Sequence, residues 1–388
     1  MAALLVVCVT MLAMVSKGLT VPAGARQGRD RLTAEFLTDY LNQQQRLPVQ
    51  GPVEVPNWPR HDLELGEVAG VDVMPNGDVM IFHRGERSWE ADTFDDLTNA
   101  LPESKRINIT RSTLVRLRAN SGQVVDSFGA NKFYVPHGLT IDKKGNLWLT
   151  DVGTDQIFRI PSGQTEPDLV LGEKFVPGND DTHFCKPTDV AVADNGDFFV
   201  ADGYCNSRVL KFSSDGALLG KFGMDTRGVG VDSPYSMNVP HSLALIEDLD
   251  ILCVADRENQ RVLCYNAGLG DTKFGQFNRT LVPGGEIGQV YGLAYDPNAA
   301  VMYVAALLSQ MPVMNRGFSY SPARAFTYDL EGNYLGGWGY ISPSEAETGP
   351  SIPHDIAVSP NGNDVYIADV LQHAVHKFTE PQNKNYLA

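Results

Sequence analysis

One short frame recurs along this chain and limits its fold more than any other feature. Val135-Pro-His-Gly-Leu-Thr-Ile-Asp142, Val239-Pro-His-Ser-Leu-Ala-Leu-Ile246 and Ile352-Pro-His-Asp-Ile-Ala-Val-Ser359 align without gaps, and Lys186-Pro-Thr-Asp-Val-Ala-Val-Ala193 keeps the frame with Thr188 in place of histidine. Turns such as Lys144-Gly-Asn146, Asn195-Gly-Asp197 and Asn361-Gly-Asn363 follow, and then come apolar runs closing on Asp151, Asp202, Asp256 and Asp369. A third short run, typified by Arg208-Val-Leu-Lys-Phe212, ends each unit, and weaker copies begin near Ala69 and Tyr291. Strand, tight turn, strand, loop, strand, repeated at steps of roughly 50–70 residues, is the pattern of propeller blades. Six copies predict an all-β, six-bladed β-propeller, which full closure frees of exposed sheet edges. A two-sheet sandwich would not require so regular a period.

The repeat turns sequence positions into rings. The first strand of a blade lines the central channel, so equivalent residues face one another across it. Blade by blade the column through His137 reads Ala69, His137, Thr188, His241, Tyr291, His354. Histidines in alternate blades stand about 120° apart, and three converging imidazoles with an open outer position have the make-up of a catalytic zinc site. His61, His83, His183, His373 and His376 lack this symmetry and receive no metal role. A second column at the end of the following strand carries His83-Arg84, Asp202-Gly203-Tyr204 and Asp256-Arg257, where other blades have Val152-Gly153, Ala306-Leu307 and Val370-Leu371. Arg84, Tyr204 and Arg257 are therefore candidates for chemistry at one mouth of the channel. Residues 85–110 and 307–324 interrupt their blades and could cap that mouth.

The ends and the charge bound the setting. Residues 1–25 open on a short apolar run and reach Ala23-Gly24-Ala25, as a secretory signal peptide does. With Cys8 removed in that segment, Cys185, Cys205, Cys253 and Cys264 form an even set suited to an oxidising compartment. Asn108-Ile-Thr110 and Asn278-Arg-Thr280 are acceptor motifs for N-glycosylation. Secretion is expected, without a membrane anchor. A formal charge of −16 excludes nucleic acid as a partner, because its phosphates would be repelled. Residues 26–64 read as an N-terminal extension with a short surface helix over 32–45, residues 65–379 as the propeller, and 380–388 as a tail.

Long strings in this frame resemble the peptidyl-α-hydroxyglycine α-amidating lyase family, whose propeller is of NHL type. They are Phe133-Tyr-Val-Pro-His-Gly-Leu139, His183-Phe-Cys-Lys-Pro-Thr-Asp189, Asp202-Gly-Tyr-Cys-Asn-Ser-Arg208, Cys253-Val-Ala-Asp-Arg-Glu-Asn259 and Ile81-Phe-His-Arg-Gly85. The resemblance runs from about residue 65 to 379. It implies His137, His241 and His354 as zinc ligands and Arg84, Tyr204 and Arg257 as active-site residues that bind substrate. It also implies a structural calcium on the carbonyls of Val71 and Leu139 and the carboxylate of Asp355. Oxygen-only ligation suits calcium. The implied disulfides are Cys185–Cys205 and Cys253–Cys264, the first tethering the loop that carries Tyr204. One departure stands two residues before His354, where the family often has Met and this chain has Ile352.

The reaction so implied cleaves peptidyl-α-hydroxyglycine to an amidated peptide and glyoxylate. It proceeds after a separate copper-dependent monooxygenase has made the substrate, and the lyase is expected as a stand-alone monomer. Cleavage removes a hydroxyl proton, stabilises the resulting alkoxide and releases an amide nitrogen, an elimination that needs no redox cofactor. Zinc would stabilise the alkoxide, Tyr204 could act as base, and Arg84 could hold a terminal carboxylate. Arg257 could stabilise charge or orient the phenol. Two rival readings are a calcium-dependent propeller hydrolase of lactonase type and a non-catalytic binding scaffold. Three histidines on the channel axis disfavour both.

Overall fold

The computed structural model describes residues 51–59, 63–225, 233–307, 311–313, 317–319, 324–339 and 351–381. The expected signal segment and the helix expected over 32–45 lie outside these residues. The described residues hold six four-stranded antiparallel sheets and no α-helix, only the 3-10 turns Glu103–Lys105 and Glu247–Leu249. The first strands of the blades are Val68–Val73, Pro136–Ile141, Pro187–Val192, Pro240–Ile246, Gln289–Asp296 and Pro353–Val358. Each packs against the first strand of the next blade, and the sixth returns to the first, so the ring is closed.

Closure uses a strand outside the repeat. Val53–Glu54 pairs antiparallel with Ala374–Thr379 and completes the sixth blade, with Val53 opposite Thr379. Part of the expected N-terminal extension thus belongs to the propeller. Chain ends drawn into one sheet convert a row of six blades into a ring without an open edge.

The core lies between blades rather than at one centre. Phe82, Met80 and Leu114 of blade one meet Leu139, Leu147 and Leu149 of blade two, and five further clusters fill the other junctions. The second strand of a blade is covered on both faces, and Leu147–Asp151 and Phe198–Asp202 are buried at every position. This explains why those stretches read as continuous apolar runs in the sequence. Burial of each large apolar side chain there contributes about 1.5–3 kcal/mol.

The aspartate that ends these runs does a specific job. Asp151 accepts the backbone N–H groups of Tyr134 and Val135, Asp202 that of Cys185, Asp256 that of Asn238 and Asp369 that of Ile352. All four are fully buried. Each carboxylate pins the loop that delivers its own blade's Pro-His or Pro-Thr pair into the channel. Blade one has no such aspartate, and His83 replaces it: its Nδ1 accepts the N–H groups of Gly66 and Gly85, both at 3.1 Å. Burial pushes His83 down to about 4, so it serves there as a neutral acceptor.

Candidate active site

The channel column is built by six bulges. In each blade one extra residue interrupts the pairing of the first two strands, between Val68 and Gly70, Pro136 and Leu139, Pro187 and Asp189, Pro240 and Leu243, Val290 and Gly292, and Pro353 and Asp355. The interrupted positions contain Ala69, His137, Thr188, His241, Tyr291 and His354. A bulge re-aims a side chain out of the regular alternation, and here it turns the column toward the axis.

His137, His241 and His354 come together as predicted by that column. Their ring centroids are 4.9, 4.7 and 4.8 Å apart, a nearly equilateral triangle. One nitrogen from each lies within 4.8 Å of the others, and all three residues are buried. The intervening residues of the column orient them. His137 Nδ1 lies 2.8 Å from the Thr188 carbonyl, His241 Nδ1 2.6 Å from that of Tyr291, and His354 Nδ1 2.7 Å from that of Ala69. A carbonyl can only accept, so each Nδ1 carries the proton and each Nε2 offers a lone pair inward. Burial holds His137 and His241 well below the usual imidazole range, helped by the neighbouring His354, and holds His354 at about 3. Three neutral imidazoles, fixed in tautomer, would suit a borderline cation such as zinc rather than calcium.

Close approach of the blades demands glycine at two places. A Cβ on Gly138 would lie 2.4 Å from the Thr188 carbonyl that orients His137. One on Gly203 would lie 2.1 Å from the carbonyl of Pro240, the residue before His241.

Tyr204 follows Gly203 and reaches the histidine triangle. Its hydroxyl lies 2.9 Å from His137 Nε2 and 3.2 Å from His241 Nε2, and Arg257 Nη1 donates to it at 3.3 Å. The Arg257 guanidinium sits between two phenol rings, 5.1 Å from the centroids of both Tyr204 and Tyr291. Glu258 accepts from Arg257 Nε at 2.9 Å and is itself held by Gln289. The disulfide Cys185–Cys205 closes directly beside Tyr204, and Cys253–Cys264 links two paired strands of blade four. Ile352 is half-buried just before the loop's Pro-His pair, its N–H on Asp369.

Arg84 sits deeper than its column suggests. It is 3% exposed, donates through Nε to the Pro136 carbonyl at 3.0 Å, and forms an ion pair through Nη1 with Glu67. The Arg84 guanidinium thus shares its charge with Glu67. Glu67 also accepts the Trp89 N–H with both oxygens, at 3.2 Å each. Neither residue emerged from the repeat. Glu67 signals itself only as an acid directly before an apolar strand, and Trp89 lies in the 85–110 insertion, where no column exists.

Beyond the histidines the channel widens toward the opposite mouth. A gap of about 10 Å³, lined by the three histidines with Asp189 and Asp355, separates them from a cavity of about 530 Å³. Val71, Leu139 and Asp355 all line that cavity, and the Val71 N–H donates to Asp355 Oδ2 at 2.9 Å. Asp72 and Asp189 join them. Burial raises Asp355 well above the carboxylate range, Asp189 to about 6 and Asp72 to about 7. Three carboxylates on one cavity would suit a hard, oxygen-ligated ion. Asn278 is exposed on the outer strand of blade four, and Asn108 is half-buried at the edge of the insertion.

Comparison with known proteins follows the same lines. The NHL repeat family matches residues 184–212 and 237–265, spanning the first three strands of blades three and four. Peptidyl-alpha-hydroxyglycine alpha-amidating lyase 2 of Drosophila melanogaster is 39% identical over 323 residues, covering 83% of this chain and 73% of that protein. Peptidyl-glycine alpha-amidating monooxygenase A of Xenopus laevis is 38% identical over 329 residues, covering 83% of this chain but 33% of that protein. Among solved structures, Kuenenia stuttgartiensis hydrazine synthase aligns with a TM-score of 0.51 and 11% identity over 83% of this chain and 98% of that one, a likeness of fold alone.

Proposed function

The chain belongs to the peptidyl-α-hydroxyglycine α-amidating lyase family and is a lyase, and from that premise we propose that it uses zinc to convert peptidyl-α-hydroxyglycine into α-amidated peptide and glyoxylate. The observation that carries this reading is the convergence of three tautomer-locked histidines, with the Tyr204 hydroxyl on two of them, His137 and His241, and Arg257 on the same oxygen. His137, His241 and His354 would hold the zinc. When bound, it would supply a positive charge that stabilises the alkoxide formed from the substrate hydroxyl.

The side chains carry the remaining steps. Tyr204 takes the hydroxyl proton of the substrate, and Arg257 stabilises negative charge on the Tyr204 oxygen by donating to it. The electrons of the O–H bond become the second bond of the glyoxylate carbonyl. The C–N bond breaks, and the nitrogen leaves as a primary amide with the proton that Tyr204 took from the hydroxyl, which returns Tyr204 to its starting state. Arg84 offers positive charge to the terminal carboxylate, tempered by Glu67.

Val71, Leu139 and Asp355 would hold calcium as a structural ion on the far side of the channel. The substrate would come from a copper-dependent peptidylglycine monooxygenase, and two disulfides within blades accord with a secretory compartment. The test is purified protein given a synthetic acyl-peptidyl-α-hydroxyglycine, with glyoxylate and metal content measured together. Catalysed glyoxylate release at about one zinc per chain is expected. Release no faster than in buffer, with zinc bound, would refute the lyase reading and favour a scaffold.

A further inference from the structure

The 85–110 insertion of blade one is a long connection with no counterpart in the repeat, and such segments are either anchored for a purpose or poorly held. This one is anchored at several points. Both Glu67 oxygens accept the Trp89 N–H. The Lys186 ammonium lies 4.4 Å over the Phe94 ring and donates to Asn99 Oδ1 at 3.0 Å. Leu101 is fully buried against Val135 and Val152. These contacts fix the Trp89 indole at the mouth, 4.7 Å from the Tyr204 ring, 6.3 Å from His137 and 5.2 Å from Phe94.

Trp89 is only half-buried, unlike Leu101 beside it. Part of the indole therefore faces the open mouth beside Tyr204. Near Tyr204 stand two charged pairs, Arg257 with Glu258 at its hydroxyl and Arg84 with Glu67 beside the indole, the Arg84 guanidinium 5.1 Å from the Trp89 ring centroid. Among the described residues the indole and the Tyr291 ring give aromatic surface there, the indole on the mouth side. A carbon reacting at Tyr204 has the preceding Cα one residue away, about 3.8 Å along the chain. The side chain on that preceding residue falls within reach of the indole, which stands 4.7 Å from the Tyr204 ring.

We propose that Trp89 is a specificity-determining residue that receives the side chain preceding the hydroxyglycine and selects apolar, above all aromatic, residues there. The assignment rests on the lyase reading and adds the substrate class to it. Aromatic pairing gains free energy beyond area burial, and apolar pockets discriminate modestly. A preference on the order of 10-fold in kcat/KM for Phe over Ala at that position is expected. The same contact would disfavour Glu and Lys, whose charge would lose solvent against the indole.

The experiment is steady-state glyoxylate release from N-acyl-X-α-hydroxyglycines with X as Phe, Leu, Ala, Glu or Lys, on zinc-checked wild type, Trp89→Ala and Trp89→Phe. Wild type should prefer Phe and Leu. Trp89→Ala should bring the Phe/Ala ratio of kcat/KM close to one, and Trp89→Phe should keep most of it. Because Trp89 also packs on Tyr204, a fall in kcat shared by all substrates is allowed; the ratio is the readout. Should Trp89→Ala not fold, Trp89→Leu must still narrow the Phe/Ala ratio. Equal kcat/KM across X in wild type, or an unchanged ratio in the folded variants, would overturn the assignment while leaving the lyase reading intact. No turnover of any X by zinc-loaded wild type would overturn both.

Discussion

Removing one oxygen atom from Tyr204 isolates its chemical role. Tyr204→Phe deletes the hydroxyl that contacts His137 at 2.9 Å, His241 at 3.2 Å and Arg257 at 3.3 Å. The ring keeps its neighbours, Trp89 at 4.7 Å and the Arg257 guanidinium at 5.1 Å, and the Cys185–Cys205 bridge still holds the loop. The fold should lose no more than about 1 kcal/mol, the net worth of an ordinary hydrogen bond. Zinc content should be unchanged, since the three imidazoles are oriented by backbone carbonyls and not by Tyr204. The rate should respond differently. A positioned base contributes about 10²–10⁴-fold, which is about 3–5 kcal/mol of barrier. The loss belongs in kcat, because proton removal occurs only on the way to the transition state. The assay is glyoxylate formation at saturating substrate on protein with verified zinc and an unshifted melting temperature. A kcat within a few-fold of wild type would refute Tyr204 as the base and pass that role to a zinc-activated hydroxide.

Other consequences are equally open to measurement. Replacing His137, His241 or His354 singly by Ala should take zinc from about one per chain to near zero, read by metal analysis after dialysis, and acidification should do the same because protonated imidazole cannot ligate. Full zinc retention in all three variants would remove the site assignment. Asp155 is buried, accepts the Lys186 N–H at Oδ1 at 2.9 Å, and has no hydrogen-bond partner for Oδ2 among the described residues. Burial raises it from 3.8 to about 7, so the folded state binds more protons than the unfolded state in that window, and stability falls as pH rises through it. Asp155→Asn should abolish that fall, worth about 2.5 kcal/mol in urea melts compared at pH 5 and pH 8. Parallel pH profiles for wild type and variant would contradict it.

The six-blade ring and the histidine site were legible in the sequence because both are periodic. A blade is one supersecondary unit repeated, so its turns, apolar runs and terminal aspartates fall in register, and an alternation such as Thr188, His241, Tyr291, His354 can be read off before any coordinates exist. Tyr204 and Arg257 were legible for the same reason, as departures from bland residues at one repeated corner. Tertiary structure alone decided the rest. That the carbonyls of Ala69, Thr188 and Tyr291 orient the histidines depends on one bulged strand lying against the next, a contact between blades that no single repeat contains. The pairing of Arg84 with Glu67 and the seating of Trp89 on Tyr204 arise where a non-repeating insertion folds back over the mouth. Closure through Val53–Glu54 joins residues more than three hundred positions apart, with Val53 opposite Thr379. Periodicity carries information about neighbours along the chain and around the ring. It carries none about segments that occur once, whose positions follow from packing and hydrogen bonding across the finished fold.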